Sequence, residues 1–157
     1  MHHLGGCLPQ HGSSGLGLLL VCAFLVGCGS HQANLEQEQS SLKPLATLYG
    51  RFIGQHGGQP PADEAQFKEF INSGGKDLLD TFNVGGADEL FVSSRDGKPY
   101  VVLYGPEATK GPPGPAGSPV VAYEQEGVGG KRFVASSMGA VEEVDEARFQ
   151  QLVPGAP

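Results

Sequence analysis

Residues 89–104 read Glu89-Leu90-Phe91-Val92-Ser93-Ser94-Arg95-Asp96-Gly97-Lys98-Pro99-Tyr100-Val101-Val102-Leu103-Tyr104. Two runs of period two flank Asp96-Gly97, a dipeptide that favours a two-residue type I′ turn. That turn predicts a β-hairpin of Glu89–Arg95 with Lys98–Tyr104, pairing Arg95 with Lys98, Val92 with Val101 and Leu90 with Leu103. Leu90, Val92, Val101 and Leu103 then share one face, expected to be the core side. Phe91, Tyr100, Val102 and Tyr104 fall on the other, whose aromatic area also needs some cover. The chain therefore turns from helix to sheet here, and the segments on either side follow from it.

Upstream, Leu42, Leu45, Leu48, Tyr49, Phe52 and Ile53 recur at steps of three and four, a helical stripe. Ser40 or Ser41 can cap it, Pro44 is tolerated in its first turn, and Gly57-Gly58 with Pro60-Pro61 ends it. A second helix is expected from Asp63, with Phe67, Phe70 and Ile71 as its buried edge and Asn72–Gly75 as its stop. One further helical turn is expected over Lys76–Phe82. Downstream, Pro106–Pro119 reads as a Pro/Gly-rich solvent loop of polyproline character. Val120–Glu124 and Arg132–Ser136 predict a strand pair across Gly127–Gly130, and Ala140–Val144 a further strand. Asp145 caps a short last helix through Leu152. The expectation is a single α+β domain over 41–157: N-terminal helices packed on a small antiparallel sheet, with a short C-terminal helix. The helices are expected on one face of the sheet.

The 157 residues allow one domain rather than two, and 25 Gly with 12 Pro assign a large share to turns. Ten Lys+Arg against 17 Asp+Glu give a net charge of −7. That balance argues against a nucleic-acid binder, which needs a basic face to replace counterions. It equally argues against docking on anionic lipid through a basic patch.

The charge is also unevenly placed, with no Asp, Glu, Lys or Arg before Glu36. Within that stretch Leu16–Gly27 carries no polar side chain over 12 residues. Such a run is too short for a membrane span, which needs about 20 residues, and suits the core of a signal peptide. The run ends in Leu25-Val26-Gly27, and Cys28 follows directly to give Leu25-Val26-Gly27-Cys28. This tetrapeptide resembles the lipobox of bacterial lipoproteins. The resemblance implies a signal peptide over 1–27, lipidation of Cys28, and a polar tether over 28–40. It implies anchoring in the cell envelope, with Gly29 after the cysteine pointing to an outer membrane facing the periplasm. Cys7, Cys22 and Cys28 are the only cysteines. Cleavage before Cys28 would leave no free thiol for a disulfide, nucleophile or zinc site.

Little else in the expected mature chain carries chemistry. His31 falls in the tether and His56 at a helix end, and no Gly-x-Ser-x-Gly elbow accompanies them. Gly127-Val128-Gly129-Gly130-Lys131-Arg132 fails as a Walker A loop: the leading Gly and the closing Ser/Thr are absent and a strand follows. An anion nest of backbone N–H groups beside Lys131 and Arg132 is the weaker option. Glu142, Glu143, Asp145 and Glu146 crowd four carboxylates into five residues. Neighbouring strand residues point to opposite faces, which favours a solvated acidic edge over a catalytic pair.

A second resemblance lies at Tyr49–Ile71, where a helix ending in His-Gly-Gly-Gln-Pro-Pro and an acid-capped helix precede a sheet. This order is similar to soluble regions of type II secretion pseudopilins, and it implies shared architecture only. No catalytic residue, cofactor or metal ligand is expected. The function expected is a monomeric, non-catalytic envelope module, held to the membrane through Cys28 and binding an envelope protein or glycan. Lys131 and Arg132 are its candidate contact residues. The alternative is an envelope hydrolase using Glu142 and Glu143.

Overall fold

The structure, a computed structural model, describes residues 40–156. The expected signal peptide, Cys28 and His31 lie outside the described residues. Helix α1 spans Leu42–Gln55. The Ser40 hydroxyl accepts from the Leu42 N–H at 3.1 Å, and Ser41 donates instead to the Val92 carbonyl at 2.8 Å. Ser40 is buried, so the fold begins one residue inside the segment assigned to the tether. Beyond the helix, Gly57 takes φ +63° and the Gly58 N–H returns to the Ile53 carbonyl, a Schellman-type stop that glycine makes cheap.

Helix α2 is Glu64–Gly74 and α3 is Lys76–Thr81. The Asp63 carboxylate accepts from the Gln66 N–H at 2.9 Å, as the sequence predicts for a cap. Where a strand was expected over Glu89–Arg95, a one-turn helix α4 forms at Ala87–Leu90. Asp88 and Glu89 are poor strand formers and suit a helix start, and the Glu89 carboxylate accepts from the Gly85 N–H.

The hairpin keeps only a trace of its expected form. Val92 bridges Pro99 rather than Val101, and strand β1 is Tyr100–Val102 alone. The turn holds Ser94–Gly97, closed by Ser93 N–H to Lys98 carbonyl at 2.8 Å. Asp96 spends its carboxylate on the Lys98 and Gly127 N–H groups, which opens the two-residue turn. The expected faces hold only in part. Leu90 is buried in the main core as expected. Phe91 and Tyr100 lie in the main core, whereas Val92 is 42% exposed.

Strands β2 (Val120–Glu124), β3 (Lys131–Ser136) and β4 (Val141–Asp145) complete an antiparallel sheet of order β1-β2-β3-β4. A register irregularity between Val120 and Ala122 lets Val121 and Ala122 share a face. One face places Val121, Ala122, Phe133, Ala135 and Val141 against α1–α4. The other places Val120, Tyr123, Val134 and Val144 under Phe149 and Leu152 of helix α5, Glu146–Leu152. The C-terminal helix thus covers the face opposite its fellows, against expectation. β2 is buried along its whole length for this reason.

The Pro-rich segment is folded rather than extended. It makes 3-10 turns at Pro106–Thr109 and Pro115–Gly117 and a bridge between Pro113 and Pro119, and Ala108 and Pro115 are buried. Strand direction places this segment and the β3–β4 turn at one end of the sheet. The Ser94–Gly97 loop, the β2–β3 turn and Ser40 lie at the other.

Candidate functional site

That second end carries a buried polar cluster. Glu124 closes β2 with its side chain wholly buried. Its carboxylate accepts from the Ser93 hydroxyl at 2.9 Å and the Phe133 N–H at 2.8 Å. Arg95 lies against it, Nε to Oε1 at 3.6 Å, and donates Nη1 to Glu143 at 2.9 Å. The guanidinium stacks over the Phe133 ring, 4.0 Å from its centroid. Lys131 reaches Glu143 at 3.5 Å from the solvent side. Burial raises the Glu124 carboxyl above its ordinary value, opposed by the Phe133 N–H, the Ser93 hydroxyl and Arg95 in that order.

The β2–β3 turn is locked to the neighbouring loop. Val128 and Lys131 exchange both backbone hydrogen bonds around Gly129-Gly130, which take φ +63° and +75°. The Gly127 N–H, a candidate nest donor, is taken by the Asp96 carboxylate at 3.3 Å. Lys98 pairs with Glu126 at 3.1 Å. The Gly127 N–H and Lys98 are thus already met within the protein.

Of the expected contact residues, Lys131 is exposed while Arg132 is built into the fold. Arg132 stacks over Phe149 at 4.3 Å, donates to the Gln125 carbonyl at 2.8 Å and pairs with Glu146 at 3.2 Å. Glu142 and Glu143 separate as strand alternation requires. Glu143 is opposite Phe133 on the helix-covered face and Glu142 opposite Val134 on the face under α5. Asp145 is the cap of α5, accepting from the Arg148 N–H at 2.8 Å.

His56 lies at the opposite end of α1 from Ser93 and Glu124. Its ring stacks on Phe52 at 3.8 Å, with Nδ1 2.8 Å from the Phe52 carbonyl. His56 lines a cavity with Glu69 and Ser73, and the Ser73 hydroxyl donates to the Glu69 backbone carbonyl at 2.7 Å. Among the described residues no group of three or more His, Cys, Asp or Glu is placed to hold a metal ion. Glu124, Ser93 and Arg95 escaped the sequence reading. The one available signal was a carboxylate closing the otherwise apolar run Val120–Tyr123. Compared with family models, curated proteins and solved structures, the chain matches none.

Proposed function

We propose that the chain is a lipid-anchored protein of the bacterial cell envelope, and that its α+β domain is a non-catalytic binding module. The observation that carries the reading is Leu25-Val26-Gly27-Cys28 at the end of an uncharged apolar run, with Cys28 twelve positions before Ser40. A cysteine so placed is followed by just enough polar chain to tether a separately packed domain. Several acyl chains, each gaining about 0.8 kcal/mol per buried CH₂, hold such a protein without basic residues. Gly29 favours the outer membrane, with the domain in the periplasm.

The hydrolase reading loses support from the sheet: its two carboxylates lie on opposite faces, and Glu143 is neutralised by Arg95 and Lys131. For binding, Lys131 supplies the exposed charge on the rigid β2–β3 turn. The turn shares an end with Ser40, so the anchored domain presents the Pro-rich segment and Met138, 71% exposed, at its outer end. An envelope protein or glycan is the partner class.

Metabolic labelling with a palmitate analogue tests the anchor. Label on the wild type and none on Cys28→Ser is the expected result, and equal labelling of both refutes it. A glycosidase and esterase screen of the protein and of Glu142→Gln/Glu143→Gln tests the second half. Turnover lost in that variant alone would replace binding with catalysis.

A further inference from the structure

The cavity beside His56 has a volume of about 260 Å³ and is lined by Phe52, His56, Gln66, Glu69, Phe70 and Ser73. The four residues from α2 recur at three- and four-residue steps, so that helix turns one stripe of itself toward the end of α1. We propose that this cavity binds an alkylammonium group, a charged primary amine on an aliphatic stem. Charge balance points to a cation. Glu64 is paired with Lys68 at 2.8 Å, and Asp63 is the cap of α2. The Glu69 carboxylate has no ion-pair or hydrogen-bond partner among the described residues.

The polar atoms left over are mainly acceptors. A carbonyl can only accept, so His56 Nδ1, 2.8 Å from the Phe52 carbonyl, donates there and Nε2 of the neutral ring is left to accept. The Ser73 hydroxyl spends its hydrogen on the Glu69 carbonyl at 2.7 Å and keeps its lone pairs. An ammonium, with three donors and no acceptor, complements the Glu69 carboxylate, Ser73 Oγ and His56 Nε2. Gln66 is the exception. Its Oε1 accepts from the Ala62 N–H at 2.7 Å, which leaves its amide nitrogen for a carbonyl further along the ligand. The stem meets aromatic carbon. Phe52 stacks on one face of the imidazole at 3.8 Å, and Phe70 stands edge-on to that ring at 5.9 Å. A cation beside such rings gains further attraction. The volume suits a group the size of a lysine side chain rather than a whole cofactor. Neither the anchor nor Lys131 takes part, so the site stands or falls separately from the reading above.

An NMR titration of the full chain with 1,5-diaminopentane, followed at the backbone amides of Gln66, Glu69, Phe70 and Ser73, tests the site. Saturable binding is expected, about tenfold tighter than for 1,5-pentanediol, which has the same stem and no charge. Glu69→Gln is expected to weaken it about fivefold and His56→Ala about threefold. Asp80→Asn removes the same charge from α3, outside the cavity, and is expected to change affinity by less than about twofold. A short capped peptide with one lysine separates two sources of the group. Tighter binding than the diamine marks a partner's lysine side chain whose carbonyl also reaches Gln66, and weaker binding marks a small free amine. Absence of saturation, equal affinity for diol and diamine, or equal losses from Glu69→Gln and Asp80→Asn overturns the proposal.

Discussion

Glu124 holds a carboxylate where water cannot reach it, and its neighbours only partly offset that cost. Two hydrogen bonds and a guanidinium favour the charged form, while burial, the largest influence, favours the neutral one. The folded carboxyl therefore keeps its proton above the ordinary value of 4.5 at which the unfolded chain releases it. Between those two values the native state binds more protons, so stability falls as pH rises through the window and levels off above it. Thermal melts from acid to neutral pH are expected to show this fall in the wild type and to lose it in Glu124→Gln. Gln keeps an acceptor for the Phe133 N–H and an amide for Ser93. Glu124→Ala removes both and takes one of the two carboxylates that Glu124 and Glu143 offer Arg95, at a cost of about 3 kcal/mol. A denaturant midpoint unchanged in Glu124→Ala would show that the cluster contributes nothing to the fold.

Among the elements, the β2–β3 turn and the 92–99 loop are the most exacting. A Cβ on Gly127 would overlap the Lys131 carbonyl oxygen, and its φ of +75° is already left-handed. Gly129 has the same handedness with open space around it. Gly127→Ala is expected to cost about 3 kcal/mol or more, and Gly129→Ala about 1 kcal/mol. Urea midpoints of the two variants separate steric overlap from backbone preference. The departures at Phe91 and Val92 make a second contrast. Val92→Asp is expected to shift stability by less than about 1 kcal/mol because its side chain meets water. Phe91→Ala is expected to cost about 3 kcal/mol, since Phe91 packs edge-on to Phe67 in the main core. Equal losses in the two would restore the hairpin first read from the sequence.

For the molecule as a whole, covering both faces of a four-stranded sheet makes its ends interdependent. α5 is seven residues long and could not hold a helix alone, yet Phe149 and Leu152 close the second core. Truncation after Asp145 is expected to uncover Val120, Tyr123, Val134 and Val144 together and to give an aggregating, dye-binding product. A soluble monomer with an unchanged melt would place α5 outside the cooperative unit. At the other terminus the boundary for a tether-free domain belongs before Ser40, which is buried and bonded to Leu42 and Tyr100.

α1, α2, α3, α5 and strands β2–β4 were legible from residues 41–152 alone because each depends on neighbours in the chain. The Leu42–Ile53 stripe, the Asp63 and Asp145 caps and the glycine stops act within one or two turns. Position 89–95 was not legible. Its alternation suits a strand, but the Glu89 carboxylate finds the Gly85 N–H and Phe91 finds the core under Phe67, and neither contact shows in the period. The site was hidden more deeply. Ser93, Arg95, Glu124 and Glu143 are spread over 51 positions, and only the strand register and the loop that Asp96 opens bring them together. Local pattern settled which residues become helix or strand. Which face of each strand is buried, which side α5 covers and which charges meet were settled by packing, where contacts distant in sequence outweigh the preference of any single segment.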